Sequence, residues 1–296
     1  MRYDAGEVIT AMVTPMNKKR EIDYNNVEKL TKHLIGHGSD AVLVCATTGE
    51  SPTLTHEEEV ELISTVKRAS ANKVKVIAGA GSNSTETAVM SAKLAQKEEV
   101  DAILSVVPYY NKPSQKGIIE HFSAVAEAVE TPIILYNIPS RTGITMQPKT
   151  IGYLANKYSH IVALKQSCSD MDMLSEIKTL VPDDFVIYSG DDSLTLPMLA
   201  IGAHGVISVA SHLFGSEIKS MIRNFKTGEI LAARNMHKKL FPVFKSLFAA
   251  PNPVPIKAAL AQKGLIEEYV RRPLTELSDD EKFILFTVIE QFNDEQ

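Results

Sequence analysis

Apolar and polar positions along this chain follow a repeating order. A short, mostly apolar run is followed by a longer stretch of amphipathic sequence. The apolar runs lie at 8–13, 41–45, 74–78, 102–107, 133–136, 161–164, 185–188 and 206–209. Each is rich in β-branched residues and too short for a helix, which predicts strands. Helix signals recur between them. Asp23 is an N-cap candidate, and Thr55 with Glu58 forms a capping box ahead of Val60, Leu62 and Ile63. Ser84-Thr85, Ser114 and Ser193 are further start signals, and Gly36, Gly38 and Gly202 are stop signals.

Strands that are mostly apolar and alternate with helices predict a parallel sheet covered on its outer face. Eight is the number that closes into a (β/α)8 TIM barrel. A doubly wound open sheet is the alternative, but no G-x-G-x-x-G follows the first run. After about residue 228 the strand signal stops. Segments 231–248, 255–263 and 278–292 read as three helices, with Pro251-Asn252-Pro253 as a break. The expected organisation is a catalytic barrel over 1–228 and a helical C-terminal domain over 229–296.

The bulk numbers narrow this reading. A chain of 296 residues that is 44% hydrophobic suits one barrel with an appendage. The net charge of −5 and the lack of a basic block argue against nucleic acid as a partner. Two cysteines, Cys45 and Cys168, fit a reducing compartment better than a disulfide framework. Residues 1–7 hold no apolar signal region, and no stretch nears the roughly 18 apolar residues of a membrane helix. A cytoplasmic protein with no membrane partner is expected.

In a barrel, chemistry gathers at the C-terminal ends of the strands. Those ends carry Thr47-Thr48-Gly49-Glu50-Ser51, Pro108-Tyr109-Tyr110-Asn111, Tyr136-Asn137-Ile138-Pro139-Ser140-Arg141-Thr142-Gly143, Ser189-Gly190-Asp191-Asp192 and Ile207-Ser208-Val209. Lys165 directly follows the apolar Ile161-Val162-Ala163-Leu164. Desolvation favours the neutral form of an amine so placed, and a neutral amine attacks ketones and aldehydes to form a Schiff base. Tyr136 can shuttle protons through a hydroxyl relay. Thr47 and Thr48 can offer hydroxyls and turn amides to a carboxylate. Arg141 can grip a second carboxylate bidentately.

Other groups have plainer readings. His33 and His37 have a metal-compatible spacing but no intervening glutamate, and they fall on an outer helix. Asp191-Asp192 read as helix caps, and the glycines of Gly79-Ala80-Gly81-Ser82-Asn83 as devices for a tight turn. Cys45 reads as a buried structural thiol and Tyr109 as an interface aromatic. No metal and no cofactor is expected.

These segments, with Gly205-Val206-Ile207-Ser208 and Asn252-Pro253-Val254-Pro255-Ile256-Lys257, resemble the dihydrodipicolinate synthase (4-hydroxy-tetrahydrodipicolinate synthase) family in order and spacing, over nearly the whole chain. The resemblance implies a lyase that condenses pyruvate with aspartate semialdehyde at the entry to diaminopimelate and lysine. It implies that Lys165 forms the Schiff base with pyruvate and that Tyr136 gives and takes protons. Thr47 would relay protons between Tyr136 and Tyr110, the latter supplied by a neighbouring subunit. Thr48 and the backbone of Ile207 would hold pyruvate. Arg141 would receive the carboxylate of the semialdehyde, and the Gly190 carbonyl its amino group. A homotetramer of paired dimers is implied. The nearest rival is a sister lyase acting on sialic acid or a keto-deoxy sugar acid, and Arg141 argues against it. A non-catalytic paralogue is the rival from another class.

Three residues depart from the family pattern: Ala46 for a glycine, Gln166 for an acid, and Ala210-Ser211-His212 where asparagine is frequent. Lys165 with Gln166 beside it loses a neighbouring negative charge, which favours the neutral amine. In lysine-inhibited members a histidine stands at the position of Glu59 and a glutamate at that of Thr87. Weak or absent inhibition by lysine is the resulting expectation.

Overall fold

The computed structural model describes residues 3–294. Its first half runs β1 (Val8–Ala11), α1 (Tyr24–Gly36), β2 (Ala41–Val44), α2 (His56–Ser70), β3 (Lys75–Gly79), α3 (Thr85–Lys97), β4 (Ala102–Val106), α4 (Gln115–Ala128) and β5 (Ile133–Asn137). There follow α5 (Pro139–Thr142), α6 (Pro148–Lys157), β6 (Ile161–Gln166), α7 (Met171–Leu180), β7 (Val186–Ser189), α8 (Thr195–Ala200), β8 (Gly205–Ser208) and α9 (Ser211–Lys226). Three helices complete the chain: α10 (Ile230–Ser246), α11 (Val254–Gln262) and α12 (Asp279–Asp294). The eight strands pair in sequence order, and β8 closes on β1, all parallel. This is the (β/α)8 barrel with a helical appendage.

Two apolar layers explain why the strand runs read as continuous. Ile9, Ala11, Leu43, Ile77, Leu104, Ile134, Ala163 and Tyr188 fill the barrel interior. Val8, Val42, Val76, Ile103, Ile133, Leu135, Leu164 and Ile187 pack outward under the helices. Both faces are buried, so the period-2 alternation is invisible in the composition. An irregularity in the β5–β6 register lies between Ile133 and Ile134. Ile133 pairs with Ile161, but Ile134 pairs with Ala163. The extra residue on β6 places Lys165 opposite Tyr136.

The helix starts hold in detail. The Asp23 carboxylate accepts from Asn26 N, Ser84 Oγ from Thr87 N, and Ser114 Oγ from Gly117 N. The Thr55–Glu58 box forms in full. Ser193 is the exception. It falls within a 3-10 turn, Asp192–Leu194, and α8 starts after Leu194 without a side-chain cap. Asp191 and Asp192 make no cap hydrogen bond there either. Asp192 instead accepts from the amides of Val209 and Ala210, because burial demands partners that the short turn does not offer. The Gly79 and Gly81 expectation also changes. A Cβ at Gly79 would lie 2.0 Å from the Cys45 carbonyl oxygen, and one at Gly81 would lie 2.5 Å from Val106 N. Close strand packing, not turn geometry, requires glycine at both.

Candidate active site

Strand β6 does not stop before Lys165. It continues through Lys165 to Gln166 and carries the lysine side chain among buried groups, with 5% of its surface exposed. Tyr136 is its register partner on β5, and the amine nitrogen stands 4.3 Å from the phenol ring centroid. Tyr136 also lines a cavity of about 380 Å³ at the barrel mouth. Thr47, Leu104, Val106, Ile138 and Arg141 line the same cavity. Arg141 lies on α5, a short helix that begins at Pro139 and ends at Gly143, whose φ of +72° suits glycine. The guanidinium is exposed at the rim.

Gly190 is tightly constrained. A Cβ there would come within 1.9 Å of Ser167 Oγ and 3.1 Å of Lys165 Cε. The glycine therefore keeps room beside the lysine. Next to it, Asp191 has its carboxyl pushed up by burial and drawn back by the charge of Lys165. Sequence reasoning took Asp191 only as a cap and missed both this proximity and Ser167, whose buried Oγ has no partner among the described residues. Ile207 is buried on the inner face of β8, in register with Ile9.

Thr47, Tyr136 and Arg141 line this cavity; Lys165, Gly190, Ile207, Thr48 and Tyr110 do not. Thr48 is buried, and its hydroxyl accepts from Asn252 Nδ2 at 2.9 Å. Tyr110 is 88% exposed with a φ of +72°, an unfavourable backbone state for a bulky residue. Its phenol contributes nothing to this protomer's cavity. Tyr109, read as an interface aromatic, lines the cavity.

The departures from the family pattern are absorbed locally. Ala46 has φ −106° and ψ −170°, extended backbone open to any residue. Gln166 faces away from the cavity: its Oε1 accepts from Asn137 Nδ2 at 3.1 Å and its Nε2 contacts Met173 Sδ. The identity of residue 166 therefore acts on the outer layer, not directly on the amine. His212 is fully buried. Its Nε2 accepts from Val13 N at 3.1 Å, and its Nδ1 lies 2.8 Å from the Val209 carbonyl.

Ser51, His56, Glu59 and Thr87 line the outer part of the cavity. Glu59 accepts from Ser51 Oγ at 2.8 Å and meets His56 Nδ1 at 3.1 Å, while burial raises its carboxyl above the usual range. A carboxylate is thus present in a region where Thr87 supplies none. Burial pushes the Cys45 thiol well above its usual range, as befits a structural cysteine rather than a nucleophile. His33 and His37 stack at 3.9 Å, each with a ring nitrogen on a backbone carbonyl. Among the described residues no cluster of three His, Cys, Asp or Glu could hold a metal, and no helix is long and apolar enough to cross a membrane.

Comparison with known proteins agrees over the whole length. The model of the dihydrodipicolinate synthetase family matches residues 4–292. A 4-hydroxy-tetrahydrodipicolinate synthase from Cyanothece sp. is 48% identical over 289 residues, 97% of this chain and 98% of the relative. The lysine-bound crystal structure of the enzyme from Cyanidioschyzon merolae superposes with a TM-score of 0.96 at 46% identity, covering 98% of each chain. A dihydrodipicolinate synthase from Bacillus anthracis superposes at 0.95 with 44% identity, covering 97% of this chain and 98% of that one.

Proposed function

We propose a division of labour for this chain, which belongs to the dihydrodipicolinate synthetase family and is a lyase that condenses pyruvate with aspartate semialdehyde to give 4-hydroxy-tetrahydrodipicolinate, in diaminopimelate and lysine biosynthesis. The Lys165 amine attacks the keto carbon of pyruvate. Water leaves and an imine forms. Loss of a methyl proton gives an enamine, whose carbon attacks the aldehyde of the second substrate. The amino group of that substrate then attacks the imine carbon, closes the ring and releases Lys165. Each step moves a proton, and Tyr136 is the group beside the amine that carries it. Thr47, on the same cavity wall, continues the relay toward Tyr110 of a neighbouring subunit. Thr48 and the backbone of Ile207 hold the pyruvate carboxylate. Arg141 at the rim receives the carboxylate of the semialdehyde, and the Gly190 carbonyl its amino group. The working unit is a dimer that pairs into a homotetramer in the cytoplasm.

One observation carries this reading: Lys165 and Tyr136 are buried register partners on adjacent strands, with the amine 4.3 Å from the phenol ring centroid. Borohydride reduction in the presence of pyruvate, followed by peptide mass spectrometry, tests it. The expected product is a single stable adduct on Lys165. An adduct on another lysine would remove the basis of the assignment.

A further inference from the structure

We propose that Asn252, in the segment before α11, is a positioning residue for pyruvate: it fixes the direction of the Thr48 hydroxyl. The proposal rests on the reading that Thr48 holds the pyruvate carboxylate. A hydroxyl has one proton to donate and lone pairs to accept with. Here Asn252 Nδ2 donates to Thr48 Oγ1 at 2.9 Å. That bond occupies an acceptor site and leaves the hydroxyl proton free for the substrate. A threonine with its proton already committed to a protein acceptor would present only lone pairs to a carboxylate, which repels them.

Asn252 is suited to this task. It is 92% buried, with 8% of its surface exposed, so water does not compete for its amide. Its Oδ1 has no partner among the described residues, and the contact with Thr48 is made by its nitrogen. The loop that bears Thr48 is held from the same side. Lys257 and Glu50 form an ion pair with side chains 0% and 2% exposed. Glu50, two residues after Thr48, also accepts from Arg271 N at 2.8 Å. Glu50 adopts φ +57°, left-handed backbone uncommon for a residue with a side chain. The C-terminal helices therefore fix both the backbone of the Thr48 loop and the polarity of its hydroxyl. The sequence offers only one hint of this, a polar residue between two prolines.

Substitution of Asn252 by Asp tests the polarity directly. The shape is kept, but the carboxylate can only accept, so Thr48 must turn its proton away from pyruvate. Loss of a hydrogen bond to a charged group should raise the pyruvate KM at least about tenfold. The semialdehyde KM should stay within about twofold, since that substrate binds elsewhere. Asn252→Ala, which leaves the hydroxyl free to rotate, should raise the pyruvate KM less than Asn252→Asp. Thr48→Val should raise it by a similar factor, and Asn252→Ala should add less than about twofold in that background. Thermal unfolding midpoints of all variants separate misfolding from the KM effect, and Asn252→Ala carries the test if the Asp variant does not fold. An Asn252→Asp enzyme with unchanged pyruvate KM would overturn the proposal, as would an Asn252→Ala effect that is undiminished in the Thr48→Val enzyme. If Thr48→Val itself leaves the pyruvate KM unchanged, the fault lies in the assignment of Thr48.

Discussion

Lys165 stands beside Tyr136 because β6 contains one residue more than its neighbour. A one-residue change of register moves every following side chain to the other face of a strand. Without the irregularity at Ile133/Ile134, Leu164 would stand opposite Tyr136. The sequence placed a lysine after an apolar run but could not say which way it pointed. Arg141 poses the reverse case: it is exposed, and only its place on the cavity rim marks it out. Arg141→Ala should lower kcat/KM for aspartate semialdehyde roughly 100-fold, as expected for one lost charge-assisted contact. The pyruvate concentration that half-saturates borohydride trapping should be unchanged. Steady-state kinetics with each substrate varied, together with the trapping curve, check this. Equal damage to both substrates would place Arg141 at the pyruvate end instead.

At the scale of elements, the loop after β2 depends on a helix more than 200 residues away. The Lys257–Glu50 pair ties α11 to that loop, and Lys257 also donates to the Tyr269 carbonyl at 2.8 Å. Arg271 extends the clamp, with a bidentate contact to Glu58 at 2.6 and 2.7 Å and a bond to the Thr53 carbonyl at 2.7 Å. Removing one partner of a buried pair leaves the other charge uncompensated. Lys257→Met should therefore cost about 3–5 kcal/mol of stability, and Glu50→Gln added to it should recover part of the loss. Urea unfolding of the single and double variants measures both. A double variant less stable than Lys257→Met would show that Glu50 is compensated by Arg271 alone.

The whole molecule adds two effects. The exposed Tyr110 has its proposed role in a neighbour's site, which mixing can reveal. Co-refolding Tyr110→Phe with Lys165→Ala should restore activity toward about a quarter of the parent, since half the random dimers are mixed and each holds one complete site. No gain over the separate variants would assign Tyr110 to its own protomer or to no site. The second effect is acid sensitivity. Burial pulls His212 down to about 4 from its ordinary 6.5, and both ring nitrogens are engaged in its neutral form. The unfolded chain then takes up this proton first as pH falls. Stability is complete above about pH 6.5 and is lost progressively toward pH 4, by on the order of 3 kcal/mol for this one group. His212→Gln should flatten the pH dependence of the urea midpoint between pH 4 and 6.5. An unchanged slope would assign the acid sensitivity to other groups, His121 among them, which burial also lowers to about 4.

The sequence by itself determined the number, order and type of the strands and of the three C-terminal helices. Apolar runs too short for helices, separated by capped amphipathic stretches, leave a parallel barrel as the arrangement that buries both strand faces. It also determined which residue types stand at the strand ends, because those positions follow directly from where each run stops. It could not determine side-chain direction on strands buried on both faces, where composition carries no alternation. Nor could it show that Asp191 stands by Lys165, that Tyr110 turns outward, or that Asn252 reaches Thr48 across 204 positions. Those relations arise from strand register and from the docking of the C-terminal helices on the barrel mouth. Contacts between distant segments come into being only when the sheet closes, so only the tertiary structure could decide them.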